Sequence, residues 1–130
     1  MATYGEVTRR IKFETVSDRS VDDVNMVDIV YSAIKEVAQI CAPMELISID
    51  ISDPILRWID DVNFIRIPIK PDGTESDSID IDDLLSEAVV YMACKRISRD
   101  HKADYDLLAK RVINNYQWSL YESVEDENDV

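Results

Sequence analysis

A chain of 130 residues with 46% apolar content supports one domain with its own hydrophobic core. Its formal charge of −13 disfavours binding to DNA or to an anionic membrane, because such binding depends on Lys and Arg. No run of about 18 apolar residues marks a membrane-spanning helix, and MATYGEVTRR lacks the apolar region of a secretory signal, so cytosolic synthesis is expected.

In chain order, Thr3 and Glu6 stand at capping-box spacing ahead of Val7 and Ile11, predicting a short helix that ends around residues 15–18. Ser20 and Asp23 repeat the start signal. The helix they open should cover residues 21–41 and stop before Pro43, since the residue preceding a proline avoids the α region. It carries two apolar stripes. Val24, Val27, Tyr31, Ile34, Ala38 and Cys41 form one; Met26, Val30, Ala33, Val37 and Ile40 form the other, well around the axis. Two readings stay open: a helix sandwiched between the first helix and a closing helical pair, or one stripe turned towards a neighbouring subunit.

The middle segment changes period. Ile47, Ile49 and Ile51 alternate with polar residues, as do Ile65, Ile67 and Ile69, so both stretches read as half-buried strands. Pro68 confines the second to an edge or a bulge. An antiparallel pair needs either a long excursion through Ile55-Leu56-Arg57-Trp58-Ile59 or a third short strand within it. A strong turn at Pro71-Asp72-Gly73-Thr74 follows.

Residues 80–121 read as two helices hinged at residues 98–102 and too closely linked for anything but an antiparallel hairpin. Leu84, Leu85, Ala88, Val89, Tyr91, Met92 and Ala93 leave the first of them almost no polar face, so it should be buried nearly all round. Tyr105, Leu108, Ala109, Val112, Tyr116 and Leu120 give the second one apolar stripe. Residues 122–130 hold 5 acidic and no basic side chains and are expected as a flexible tail on a single 1–121 domain. The fold class is mainly α: about four helices with a strand pair inserted between the second helix and the C-terminal hairpin.

Chemistry is sparse. His101, the single histidine, lies in a polar turn where a solvated or helix-capping role suits it, and no nucleophile motif accompanies it. The acidic series Asp72, Glu75, Asp77, Asp80, Asp82, Asp83 fails the calcium-loop test, its glycine falling directly after the first Asp. Asp80 or Asp82 is better read as a helix cap, with the neighbouring carboxylates favouring the positive end of the helix dipole. Cys41 and Cys94 read as small buried hydrophobes. Only two glycines occur, which excludes a phosphate-cradling loop. No catalytic, cofactor or metal site is expected, and an enzyme is not the reading.

The order of elements is the most informative feature. The run Asp82-Asp83-Leu84-Leu85-Ser86-Glu87-Ala88-Val89-Val90-Tyr91-Met92-Ala93, then Arg96 and Asp100, then Tyr105, Ala109, Tyr116 and Leu120, resembles the head-to-tail connector (adaptor) proteins of tailed bacteriophages. In that family an acidic residue precedes an Ala/Val/Tyr-rich helix and a second helix carries spaced aromatics. The resemblance spans roughly residues 20–121. It implies a structural virion protein at the neck, made in the host cytoplasm. Such a protein forms a homo-oligomeric ring, commonly of twelve copies, beneath the portal protein. The ring extends the DNA channel, past which DNA slides without specific binding, and offers a platform to the next neck or tail protein. It carries no catalytic residues. Val30, Tyr31 and Val37 on the doubly striped helix, with the aromatics Trp58, Phe64, Trp118 and Tyr121, are the candidate subunit or partner contacts. The alternative is a small acidic binding protein, either a DNA mimic or an assembly chaperone. A small enzyme or metal-dependent regulator is a third.

Overall fold

The computed structural model describes residues 2–16 and 23–128, with side chains for residues 2–16 and 25–120. Helix α1 (Tyr4–Glu14) starts where its cap spacing predicts: the Thr3 hydroxyl accepts a hydrogen bond from the Glu6 amide at 3.2 Å. Its first turn is also pinned from outside, Tyr4 N and Gly5 N donating to the carbonyls of Asp77 (2.7 Å) and Glu75 (3.0 Å). Gly5 permits that approach, since a Cβ there would lie 2.9 Å from the Glu75 carbonyl oxygen.

Helix α2 (Asp23–Ile40) ends ahead of Pro43, as the proline requires. The Ser20 start signal lies outside the described residues. Met26, Val30, Ala33, Ile34, Val37 and Ala38 are all buried, so the two expected stripes merge into one broad buried face. Among the helices α2 packs chiefly on the first helix of the hairpin. Tyr31 stands at the flank, half-buried, its hydroxyl donating to the Pro68 carbonyl at 2.9 Å.

The β insertion has three strands rather than a pair: β1 (Ile47–Ser48), β2 (Ile55–Trp58) and β3 (Phe64–Arg66), antiparallel in the order β1-β3-β2. Ile47 faces Ile65 and Ser48 faces Phe64 on one side of β3, while Trp58 faces Phe64 on the other. The third strand falls within the apolar piece at 55–59. β1 stops early because Asp53 N bonds the Asp50 carbonyl and Ser52 N bonds the Asp50 carboxylate, closing a turn where Ile49 and Ile51 had suggested more strand. β3 is the central strand, where a proline would break the ladder, and it ends at Arg66, ahead of Pro68.

Helix α3 (Ser86–Ile97) follows a 3-10 turn over Asp83–Leu85, so it begins later than its apolar run suggested and leaves Leu84 exposed. From Ala88 onward it is as enclosed as predicted: Ala88, Val89, Val90, Met92, Ala93, Cys94 and Ile97 are buried. It packs against α1, α2 and helix α4 (Lys102–Asn128). α4 runs antiparallel to it, since Tyr116 meets Asp82 while Tyr105 stacks on Tyr91 and Asp106 meets Lys95. The expected domain end at Tyr121 falls inside α4, which continues to Asn128 with no glycine or proline to break it.

None of the acids before α3 caps it through its side chain: Asp82 stands at the N-cap of the 3-10 turn without a capping bond. The residue capping α3 is Leu85, which has no side-chain capping bond. Asp82 instead accepts from Met44 N (3.1 Å), Glu45 N (2.9 Å) and the Tyr116 hydroxyl (2.7 Å), joining the α2–β1 connection to α4. Asp83 accepts from Ala2 N at 2.6 Å. Burial, reinforced by the Asp82 carboxylate, pushes the Tyr116 phenol well above its ordinary pKa. The Asp82→Ala variant should therefore lose about 2–4 kcal/mol in urea unfolding, because it removes a charged acceptor from two amides and a hydroxyl. Tyr116→Phe should lose about 1 kcal/mol.

Neither cysteine is in a disulfide and both are buried, and burial pushes the Cys41 thiol up to about 11. Neither should react with a thiol reagent at pH 8 in the native protein, and two thiols per chain should react once it is denatured. Rapid native labelling would contradict this burial.

Candidate interaction surface

The sheet is built outward from the helical body by arginines. The last turn of α2 carries no basic residue of its own to meet its terminal carbonyls. Arg57 of β2 reaches back to fill that role, Nε donating to the Ala38 carbonyl (3.2 Å) and Nη2 to the Cys41 carbonyl (2.7 Å). Arg66 of β3 pairs bidentately with Asp80 at 2.5 and 2.9 Å and donates to the Glu45 carbonyl at 3.2 Å. Asp80 also accepts from Ile69 N at 2.8 Å. Burial alone would raise the Asp80 pKa, but the Arg66 and Ile69 hydrogen bonds outweigh it and hold the carboxyl below its ordinary value.

Successive residues of β3 face opposite sides, and both sides are covered. Ile65 joins the helical core, while Phe64 is covered by Trp58, edge-on at 5.2 Å between ring centroids. The tip is different. The register puts the ends of β1 and β2 beside the start of β3, so Ile49, Ile59 and Val62 lie beyond the strand ends at the end of the sheet that carries Trp58. All four are exposed, Trp58 at 51% and Val62 at 61%, and Ile51 on the adjoining loop reaches 80%.

The same tip holds Asp50, Asp53, Asp60 and Asp61. Three of these build its turns. Asp60 accepts from the amides of Val62 (2.8 Å) and Asn63 (2.7 Å), and Asp50 from Ser52. Asp53 accepts from the Ser48 hydroxyl at 2.8 Å. Backbone donation from Asn63 and from Ser52 holds the Asp60 and Asp50 carboxyls, respectively, below the usual carboxylate range. The result is an apolar patch edged by carboxylates on turns that are already folded.

The expected contact residues divide. Val30, Val37 and Phe64 have no exposed surface and so none to offer a partner; they are core residues of the protomer. Tyr31 is engaged with Pro68, Trp58 and Trp118 are about half exposed, and the Tyr121 side chain lies outside the described residues. Sequence reasoning missed Arg57, whose role depends on a helix end that is distant in the chain. It also read Ile49 and Ile51 as strand residues. The signal available was the cluster of Asp and Ser around them, which favours turns.

His101 lies at the start of α4, its amide bonded to the Ser98 hydroxyl at 3.0 Å and its ring 3.5 Å from Asp104. Among the described residues no three of His, Cys, Asp and Glu form a group that could hold a metal ion, and no helix is long and apolar enough to cross a membrane. The chain matches no protein-family model, no curated protein and no solved structure at a significant level.

The Arg66–Asp80 pair has a signed pH dependence. Because the folded-state pKa of Asp80 is depressed, its stabilisation is complete above the unfolded value of about 3.9 and is lost as pH falls through the lower folded value. Asp80→Asn should accordingly melt below wild type at pH 7, with the difference shrinking below about pH 4. A difference that does not change with pH would contradict the assignment.

Proposed function

We propose that this chain is a structural assembly protein of the connector type, a ring-forming adaptor that couples a phage portal to the next neck or tail component. The observation that carries the reading is the sheet tip. The helices enclose their own core, yet Ile49, Ile51, Trp58, Ile59 and Val62 stand exposed together on preformed turns. Exposed apolar side chains at one end of a sheet, edged by carboxylates on hydrogen-bonded turns, are the form an assembly contact takes. The mainly helical body with a small sheet inserted before the closing hairpin accords with the resemblance in the order of its elements. The acidic surplus suits a wall past which DNA slides without sticking.

A DNA mimic is the weaker reading. Mimicry needs carboxylates presented outward in register, whereas Asp50, Asp53 and Asp60 are bound up in holding their own turns.

Size-exclusion chromatography with light scattering tests the proposal. With a cognate portal protein the chain should co-elute as a complex of many copies. A stable monomer that ignores portal, yet competes with DNA for a DNA-binding enzyme, would overturn it in favour of mimicry.

A further inference from the structure

Helix α4 outruns the helix it packs on. Its 27 residues span about 40 Å, against about 18 Å for the 12 of α3. Tyr116 already stands level with Asp82, ahead of the first turn of α3, so residues 117–128 lie beyond that helix. Tyr105, Ala109, Ile113 and Tyr116 enter the core from one side of α4. On the opposite side Leu107, Arg111, Asn114 and Trp118 recur at alternating four- and three-residue steps, and Tyr121 and Glu125 hold the next two positions of that repeat. The first four are exposed, Leu107 at 61% and Trp118 at 56%. A seven-residue repeat along the outer face of a long helix is the form of a helix–helix seam.

The charges on this face are ordered along the helix. Arg111 lies near its middle, and Glu122 and Glu125 lie towards its carboxyl end. Lys110 stands off the face and is paired with Asp106 at 2.9 Å. Positions 111 and 125 are equally far from Trp118, on either side of it. Two such helices laid antiparallel about Trp118 therefore bring each Arg111 level with Glu125 of the other copy, and within one turn of its Glu122. Asp104, the remaining acid of the face, lies about 10 Å along the axis from the level of that Glu125. A parallel arrangement would instead set Arg111 against Arg111 and each glutamate against its own copy, which like-charge repulsion disfavours.

We infer that a second copy of this chain covers the outer face of α4, the two helices packing antiparallel across a two-fold axis near Trp118. The inference goes beyond the connector reading and does not rest on it. A two-fold contact uses one surface twice, closes at two copies and leaves the sheet tip open to another partner. Trp118 supplies the apolar centre, and the two Arg111–Glu125 pairs fix the direction and register of the helices.

Sedimentation velocity on the full chain, without portal, tests it. The wild type should form dimers as concentration rises. Arg111→Glu and Glu125→Arg should each weaken that association at least about tenfold, because each sets like charges opposite one another at both ends of the seam. Mixed one to one, the two variants should dimerise at wild-type strength, since the mixture restores opposite charges at both ends. Milder Arg111→Gln and Glu125→Gln versions guard against misfolding, with circular dichroism confirming the helical signal. Cross-linking reads the direction: Asn114→Cys chains should form a disulfide with Glu122→Cys chains, and neither with itself. A wild type that stays monomeric, a folded charge variant that associates at wild-type strength, a mixture that fails to recover, or cross-links only between identical variants would overturn the inference. Portal co-elution is a separate readout: its absence in a wild type that still dimerises would overturn the connector reading alone.

Discussion

A helix that is apolar on nearly every side must be enclosed, and the enclosure of α3 is the constraint on which the rest of this structure depends. No single neighbour covers a helix from Ala88 to Ile97, so α1, α2 and α4 are each drawn against it. The polar residues that α3 does carry are placed where they can be paired. Lys95 sits between Glu36 of α2 and Asp106 of α4; burial opposes its charge, and the two carboxylates more than restore it. Arg96 adds a second bond to Glu36, and Glu87 at the other end takes Arg10 of α1. These pairs set the rotation of the helices that burial brings together. Burial itself provides the drive, because it is proportional to apolar area and indifferent to direction.

The approach to α3 performs a second task. Asp80, Asp82 and Asp83 occupy four consecutive positions with Ile81, and each accepts bonds from a different part of the chain: the sheet, the α2–β1 connection with α4, and the amino-terminal segment. Ile79 and Ile81 alternate with them and enter the core. A short segment with apolar residues inward and carboxylates outward thus gathers four parts of the chain around the entrance to the central helix. This is why its acids are engaged within the protomer, and why they hold no metal-like cluster despite their density.

The sheet shows the same economy at its base and the opposite at its tip. Arg57, Arg66 and Tyr31 tie it to α2 and to the segment before α3. Beyond Phe64 the tip is exposed at Ile49, Ile59 and Val62, and the turns are held by their own aspartates. Local hydrogen bonds can fix the shape of a turn, yet they bury almost no apolar area. Isoleucines and a tryptophan on such a turn remain available to another surface.

Much of the helical framework was legible in the sequence because capping spacing, proline placement and three-four periodicity act within a few residues. Thr3 and Glu6, the stop before Pro43, the hinge at residues 98–102 and the stripe from Tyr105 to Tyr116 are all of this kind. The sheet was half legible: alternation located Ile47 and Ile65, and the third strand was one of two options for the apolar piece between them. The tip was not, since alternation alone cannot tell a strand from a turn that aspartate side chains close. Nor could periodicity say that Val30 and Val37 lie in the core while Phe13 stays outside, because a stripe has no knowledge of what covers it. The sequence by itself determined which segments are helices and that α3 must be central. Only the tertiary structure decided which apolar faces were left over, because that depends on how many neighbours fit around one buried helix.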